Sequence, residues 1–195
     1  MDLPLLIKEY NEKVFPEVLR HNRMLSQLLV STSTDENKAK VLLIGDTNWY
    51  PGCHQWYLRL HKDLYKDMIY TIVKYRIWEM SLDSFSSFKN LYDCISQWLK
   101  KPYINQMTIY DVALRLVLAR KKNRLKPQDE VYIHAKPRKV YGRLYRLKLV
   151  SLKPKEWNIT VPIEEFDKNF RSLEPYESYV IEDFLCFVAK RKVLD

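Results

Sequence analysis

Gly45, Gly52 and Gly142 are the only glycines in 195 residues. Average usage, roughly 7%, would supply about fourteen. Tight hairpins draw on glycine for positive φ, so sandwiches and barrels are disfavoured. Helices joined by polar or proline-containing loops suit the chain better. Five Trp, fourteen Tyr and a 47% hydrophobic content give it enough apolar surface for a real core. The expected fold is mainly α: a single compact helical domain over residues 1–195, with at most a few short strands.

Periodicity gives the expected elements. Leu5, Leu6, Tyr10, Val14, Val18, Leu19, Leu25 and Leu28 follow a 3.6 period, with Pro16 expected to break or kink the segment. Ser31 to Asn37 reads as a loop, and Ser33 with Glu36 has capping-box spacing. Lys40 to Gly45 fits a buried strand or a helix end, and Asp46 to Gly52 an irregular loop. A helix is expected over about 55–80, with Leu58, Leu64, Met68, Ile72, Tyr75 and Trp78 as its core positions. Asp83 is placed to cap the next, whose apolar positions are Phe85, Phe88, Tyr92, Ile95 and Leu99. Thr108 and Asp111 resemble a capping box for Ile109 to Ala119, which is apolar almost all round and so reads as the central buried helix. Val131 to Ala135 fits a short strand. Lys139 to Val150 fits a helix that buries Val140, Leu144 and Leu147. Pro162 suits the first turn of a helix to Leu173. A last helix, from about Tyr176 to Lys190, buries Val180, Ile181, Phe184, Leu185 and Val188.

Whole classes of function lack their signatures. There is no Walker loop, no G-x-G-x-x-G, no G-x-S-x-G and no H-E-x-x-H. No cofactor and no metal are expected. Cys53, Cys94 and Cys186 are widely spaced and odd in number, which fits free thiols in a reducing compartment. No secretory signal pattern opens the sequence, and its apolar runs are too short for a bilayer. A cytoplasmic protein without a membrane partner is expected.

Positive charge is concentrated in one stretch. Residues 115–155 carry fourteen Lys and Arg against Asp129 and Glu130. The remainder carries nineteen basic and twenty-two acidic residues. A directed field of this kind attracts polyanions. Arg120, Lys121, Lys122 and Arg124 follow the buried helix, and Lys136, Arg138 and Lys139 come next. Lys139, Arg143 and Arg146 share a helix face from which they would reach a row of phosphates. Tyr132, Tyr141 and Tyr145 are interleaved where they would stack on bases or sugars. The same charges also fit a solvated face that complements helix C-termini.

The order of a helix ending at Leu99, a short connection Lys100 to Met107, a buried helix from Ile109 and then VYIHAKPRKVYGRL resembles the hairpin region of helix-hairpin-helix DNA glycosylases. The resemblance spans residues 85–144, with Val131, His134 and Arg138 in suggestive positions. The hairpin glycines are missing, and Tyr132 stands where that family has its catalytic aspartate. The resemblance therefore implies a nucleic-acid contact rather than glycosylase activity. LLIGDTNWYPG resembles the nucleophile block of one esterase superfamily, with Thr47 in place of Ser, but no D-x-x-H follows. An Asx-turn at Asp46 is the plainer reading.

Three other groupings have structural explanations. Cys53, His54 and His61 lack zinc spacing. Asp111 and Arg115, at i and i+4, fit an internal brace. Trp49, Tyr50, Trp56 and Tyr57 fit core packing. The expected function is non-catalytic nucleic-acid binding, to DNA or RNA, with no catalytic residue assigned. An acidic protein partner is the first alternative. A diverged DNA-processing enzyme, drawing on Asp111, Glu130 or His134, is the second.

Overall fold

A computed structural model gives the chain as mainly α-helical. It describes residues 2–45, 62–101, 104, 106–120, 125, 130–132, 135–150, 160–166 and 168–190. The expectations for Asp46 to Gly52, for Cys53, His54 and His61, for Leu58 and for the aromatic group around Pro51 lie outside them. Contacts within the chain gather into two units, Met1–Val18 with Pro127–Asp195, and Leu19–Lys126.

The first unit opens with α1, Leu3–Glu9. A π-helical turn, Tyr10–Val14, leads into α2, Phe15–Ser31, within which the division between the units falls. Pro16 was expected to break or kink this segment; the helix continues through it, with a π-helical turn immediately before it. Proline lacks an N–H and its ring crowds the carbonyl four residues back. The wider π turn, closed by the Phe15 N–H donating to the Tyr10 carbonyl, comes just before Pro16.

Strands β1, Glu130–Tyr132, and β2, Thr160–Pro162, pair antiparallel with Val131 opposite Val161. Pro162 thus ends a strand instead of starting a helix, and two 3₁₀ turns follow, Ile163–Glu165 and Lys168–Ser172. Between the strands lies α7, Ala135–Arg146, and the unit closes with α8, Ser178–Lys190. The five positions expected to be buried on α8 are all buried. Tyr10, Phe184, Phe170, Tyr141 and Phe166 form a continuous aromatic core, with neighbouring ring centroids 5.5–5.8 Å apart and mostly edge to face.

In the second unit, α3 spans Asp35–Ile44. Its cap is Thr34, whose hydroxyl accepts from the Asn37 N–H at 3.3 Å, one residue beyond the expected Ser33. Lys40 to Gly45 is a helix end. Gly45 stops it at φ +68, and a Cβ there would lie 3.3 Å from the His21 ring and 3.4 Å from Arg115 Nε. Glycine is needed at this position for conformation and for space. Helix α4 is described over Lys62–Lys74 and ends before the expected 80, with the expected residues 55–61 outside the description; Tyr75 is 41% exposed in the turn beyond it, stacked on Trp98 at 4.7 Å. Helix α5, Phe88–Leu99, is capped by Ser87 rather than Asp83, the hydroxyl accepting from the Asn90 N–H. Helix α6, Gln106–Ala119, starts before the expected Thr108 box and buries Thr108 within it. Ile109, Val112, Ala113, Leu116 and Val117 place α6 at the centre of this unit's core, as its apolar circumference predicts.

Candidate nucleic-acid interface

The basic stretch 115–155 is shared between the units, with six of its cations at or before Lys126 and eight beyond it. The first two lie in the second unit and act as structure. Arg115 donates from Nη1 to the Leu42 and Leu43 carbonyls at 3.0 and 2.8 Å, and from Nη2 to Asp111 Oδ2 at 3.4 Å. These carbonyls belong to the last turn of α3, where the helix has no N–H donors of its own for them. The Asp111–Arg115 brace expected from their spacing is thus a C-terminal cap for α3. Arg120 donates to the Trp78 carbonyl. Lys121, Lys122 and Arg124 lie outside the described residues.

The described basic surface of the first unit is α7. Pro137, Val140, Tyr141 and Leu144, at i, i+3, i+4 and i+7, are buried. Proline is tolerated in the first turn, where N–H groups have no helical partner. The same periodicity turns Lys139, Arg143 and Arg146 to the opposite face. Arg138, Lys139 and Arg146 are exposed and Arg143 is half-buried. The backbone of Lys136 lies in the first turn; its side chain lies outside the description.

Two expectations for α7 change. The helix covers 135–146 instead of 139–150, so Leu147 falls in the closing turn and is 50% exposed rather than core. Tyr141 is fully buried, with its ring 5.6 Å from Phe166 and 5.8 Å from Phe170. Its i+4 spacing from Pro137 and i−3 spacing from Leu144 put it on the apolar face, so this ring serves the core and is not on offer to a base. Tyr145 is half-buried. The side chains of Tyr132 and Glu130, and all of His134, lie outside the described residues.

The end of α7 is unusual. The Lys148 N–H donates to the Tyr145 carbonyl and the Leu149 N–H to the Leu144 carbonyl, both at 2.9 Å. These bonds form a Schellman motif, whose left-handed position is most often glycine. Here it is Lys148, at φ +59. Glycine occurs instead in mid-helix, at Gly142, where an added Cβ would meet nothing within 4 Å.

Sequence reasoning missed a titratable cluster in the same unit. Tyr10 Oη donates to Asp183 Oδ2 at 2.8 Å, and Cys186 Sγ donates to Glu182 Oε1 at 3.1 Å. Burial is the main cause that pushes the Asp183 carboxyl up to about 7, the Glu182 charge adds to the rise, and the Tyr10 hydrogen bond opposes it. Burial and the same carboxylate push the Tyr10 phenol up as well. Asn11 extends the attachment, donating to the Ser172 carbonyl and accepting from the Glu174 N–H. The adjacent acids at 182 and 183 in an otherwise apolar helix were the available signal.

Among the described residues, no group of three or more His, Cys, Asp or Glu is placed to hold a metal ion. No described helix is long and apolar enough to cross a membrane. Comparison with protein-family models, curated proteins and solved structures finds no match. The likeness of residues 85–144 to helix-hairpin-helix glycosylases therefore rests on the residues that suggested it.

Proposed function

We propose that the protein binds nucleic acid through the outward face of α7, by contact with the sugar–phosphate backbone and without chemistry of its own. The observation that carries this reading is the division of α7 into a buried face and a face bearing Lys139, Arg143 and Arg146. The three cations rise along the helix by about 6 and 4.5 Å, at 1.5 Å per residue. Contacts of this kind are insensitive to base sequence and release counterions. With Tyr141 in the core, phosphate contact rather than stacking dominates the reading. DNA and RNA are both ligands on this chemistry.

An acidic protein partner is the second reading, and Leu147 favours it. A half-exposed leucine beside Arg143 and Arg146 is the apolar anchor that a protein interface uses. Fluorescence anisotropy separates the two, with labelled random-sequence DNA and RNA, single- and double-stranded, and with poly-L-glutamate. The proposal expects binding of the nucleic acids at low salt, steep weakening as salt rises, and little effect of Leu147→Ala. Equal affinity for poly-L-glutamate, or no nucleic-acid binding at low salt, would overturn it.

A further inference from the structure

Gly142 stands in the middle of α7, and nothing among the described residues demands a glycine there. Mid-helix glycine is unfavourable relative to alanine because of the backbone entropy it loses. A Cβ at 142 would meet open space, so packing does not demand its absence. Its neighbours on the helix surface, at i−4, i−3, i+3 and i+4, are Arg138, Lys139, Tyr145 and Arg146. Glycine therefore makes a shallow notch in the helix surface, framed by three cations and one tyrosine.

The cap of the same helix shows the opposite exchange. Lys148 is exposed and holds a left-handed conformation that glycine adopts without strain. A chain with three glycines places one where alanine would be more stable, and places lysine where glycine would be. Both choices sacrifice helix stability at the basic surface. One opens room at its centre, and the other adds a cation at its end.

We propose that Gly142 is the floor of a phosphate seat, over which one phosphodiester of the bound nucleic-acid strand lies against the α7 backbone. Lys139 and Arg146 flank the phosphate from the turns on either side, and Arg138 completes the frame. Absence of a side chain at 142 lets the strand approach close enough for these cations to bond its oxygens directly. Lys148 extends the track beyond the helix end. This inference rests on the nucleic-acid reading of α7 and goes beyond it by naming the point of closest approach.

The experiment measures Gly142→Ala and Gly142→Leu in the full chain, by thermal unfolding and by anisotropy with a 20-base-pair random DNA duplex and its RNA counterpart. Gly142→Ala should raise the unfolding midpoint by about 2–4 °C, because alanine favours the helix. It should nevertheless weaken binding several-fold. Gly142→Leu should fold and weaken binding at least tenfold, with a salt slope shallower by about one unit for the lost phosphate contact. Wild-type affinity in the leucine variant would overturn the seat. If Lys139→Glu/Arg143→Glu/Arg146→Glu then still abolishes binding, the nucleic-acid reading of α7 stands without it. No binding by the wild-type chain at low salt would overturn both. Should the leucine variant unfold, undiminished affinity in the more stable alanine variant would by itself overturn the seat.

Discussion

Asp183 and Arg115 show how far a single charged residue depends on what the fold puts around it. A carboxyl held near 7 against an ordinary 3.8 binds its proton more tightly in the folded chain than in the unfolded one. Its contribution to stability is therefore full below about pH 4 and is lost as pH rises through 7. Between pH 6 and pH 8 that loss is on the order of 1 kcal/mol. Denaturant unfolding of the wild type should show a decline of this size over this range, and Asp183→Asn should flatten it. Equal pH dependence in the variant would mean that another group is responsible. Tyr10→Phe should move the midpoint upward, because the phenol bond favours the ionised carboxyl. At Arg115, two hydrogen bonds hold the end of α3 and a third joins Asp111, and Arg115→Ala should destabilise by about 2–4 kcal/mol at a site with this little exposure. A change below half a kcal/mol in urea unfolding would mean that water replaces the guanidinium freely. The spacing of Asp111 and Arg115 was legible in the sequence; the carbonyls they serve, some seventy residues away, were not.

Elements were legible where one local pattern dominated. The apolar circumference of 109–119 required burial, and α6 lies in the core of its unit. Leu116→Ala should therefore destabilise by about 2–5 kcal/mol, measured by denaturant unfolding. A loss under half a kcal/mol would remove α6 from the centre of its core. Boundaries were less legible, for physical reasons. Ser31, Thr32, Ser33 and Thr34 offer four adjacent hydroxyls, and Ser31 is used by the end of α2 while Thr34 caps α3. Asp83 and Ser87 compete in the same way before α5. Pro16 reads as a break or kink under α-helical geometry, and one π turn before it lets the helix continue. Helix α7 starts and ends four residues before the expected 139–150, with Pro137 inside its first turn. That shift moved Leu147 from the core to the surface, while the tyrosine at 141 proved to be a core ring. The cationic face itself survived, since i, i+4 and i+7 share a face in either frame.

Charge organises the whole chain differently from the way it reads in one dimension. Leu19–Lys126 holds eighteen basic and nine acidic residues, so the formal charge of +9 resides there. The other unit balances fifteen of each sign, yet separates them along the chain. Residues 135–150 carry six cations and no acid, while residues 163–183 carry seven acids and two cations. A continuous basic stretch of sequence thus divides between structural arginines in one unit and the face of α7 in the other. The proposed role of this face is to bind nucleic acid. Its most direct test is the salt dependence of duplex binding, compared between the wild type and Lys139→Glu/Arg143→Glu/Arg146→Glu. Lys139 and Arg146 are exposed and Arg143 is half-buried in the last turn, so the reversed chain should keep its circular dichroism and melt only a few degrees lower. The wild type should bind at low salt, with a slope of log affinity on log salt that includes about −2.7 from these three residues, and the reversed chain should not bind. Binding that survives the reversal, in a chain that is still folded, would contradict the account.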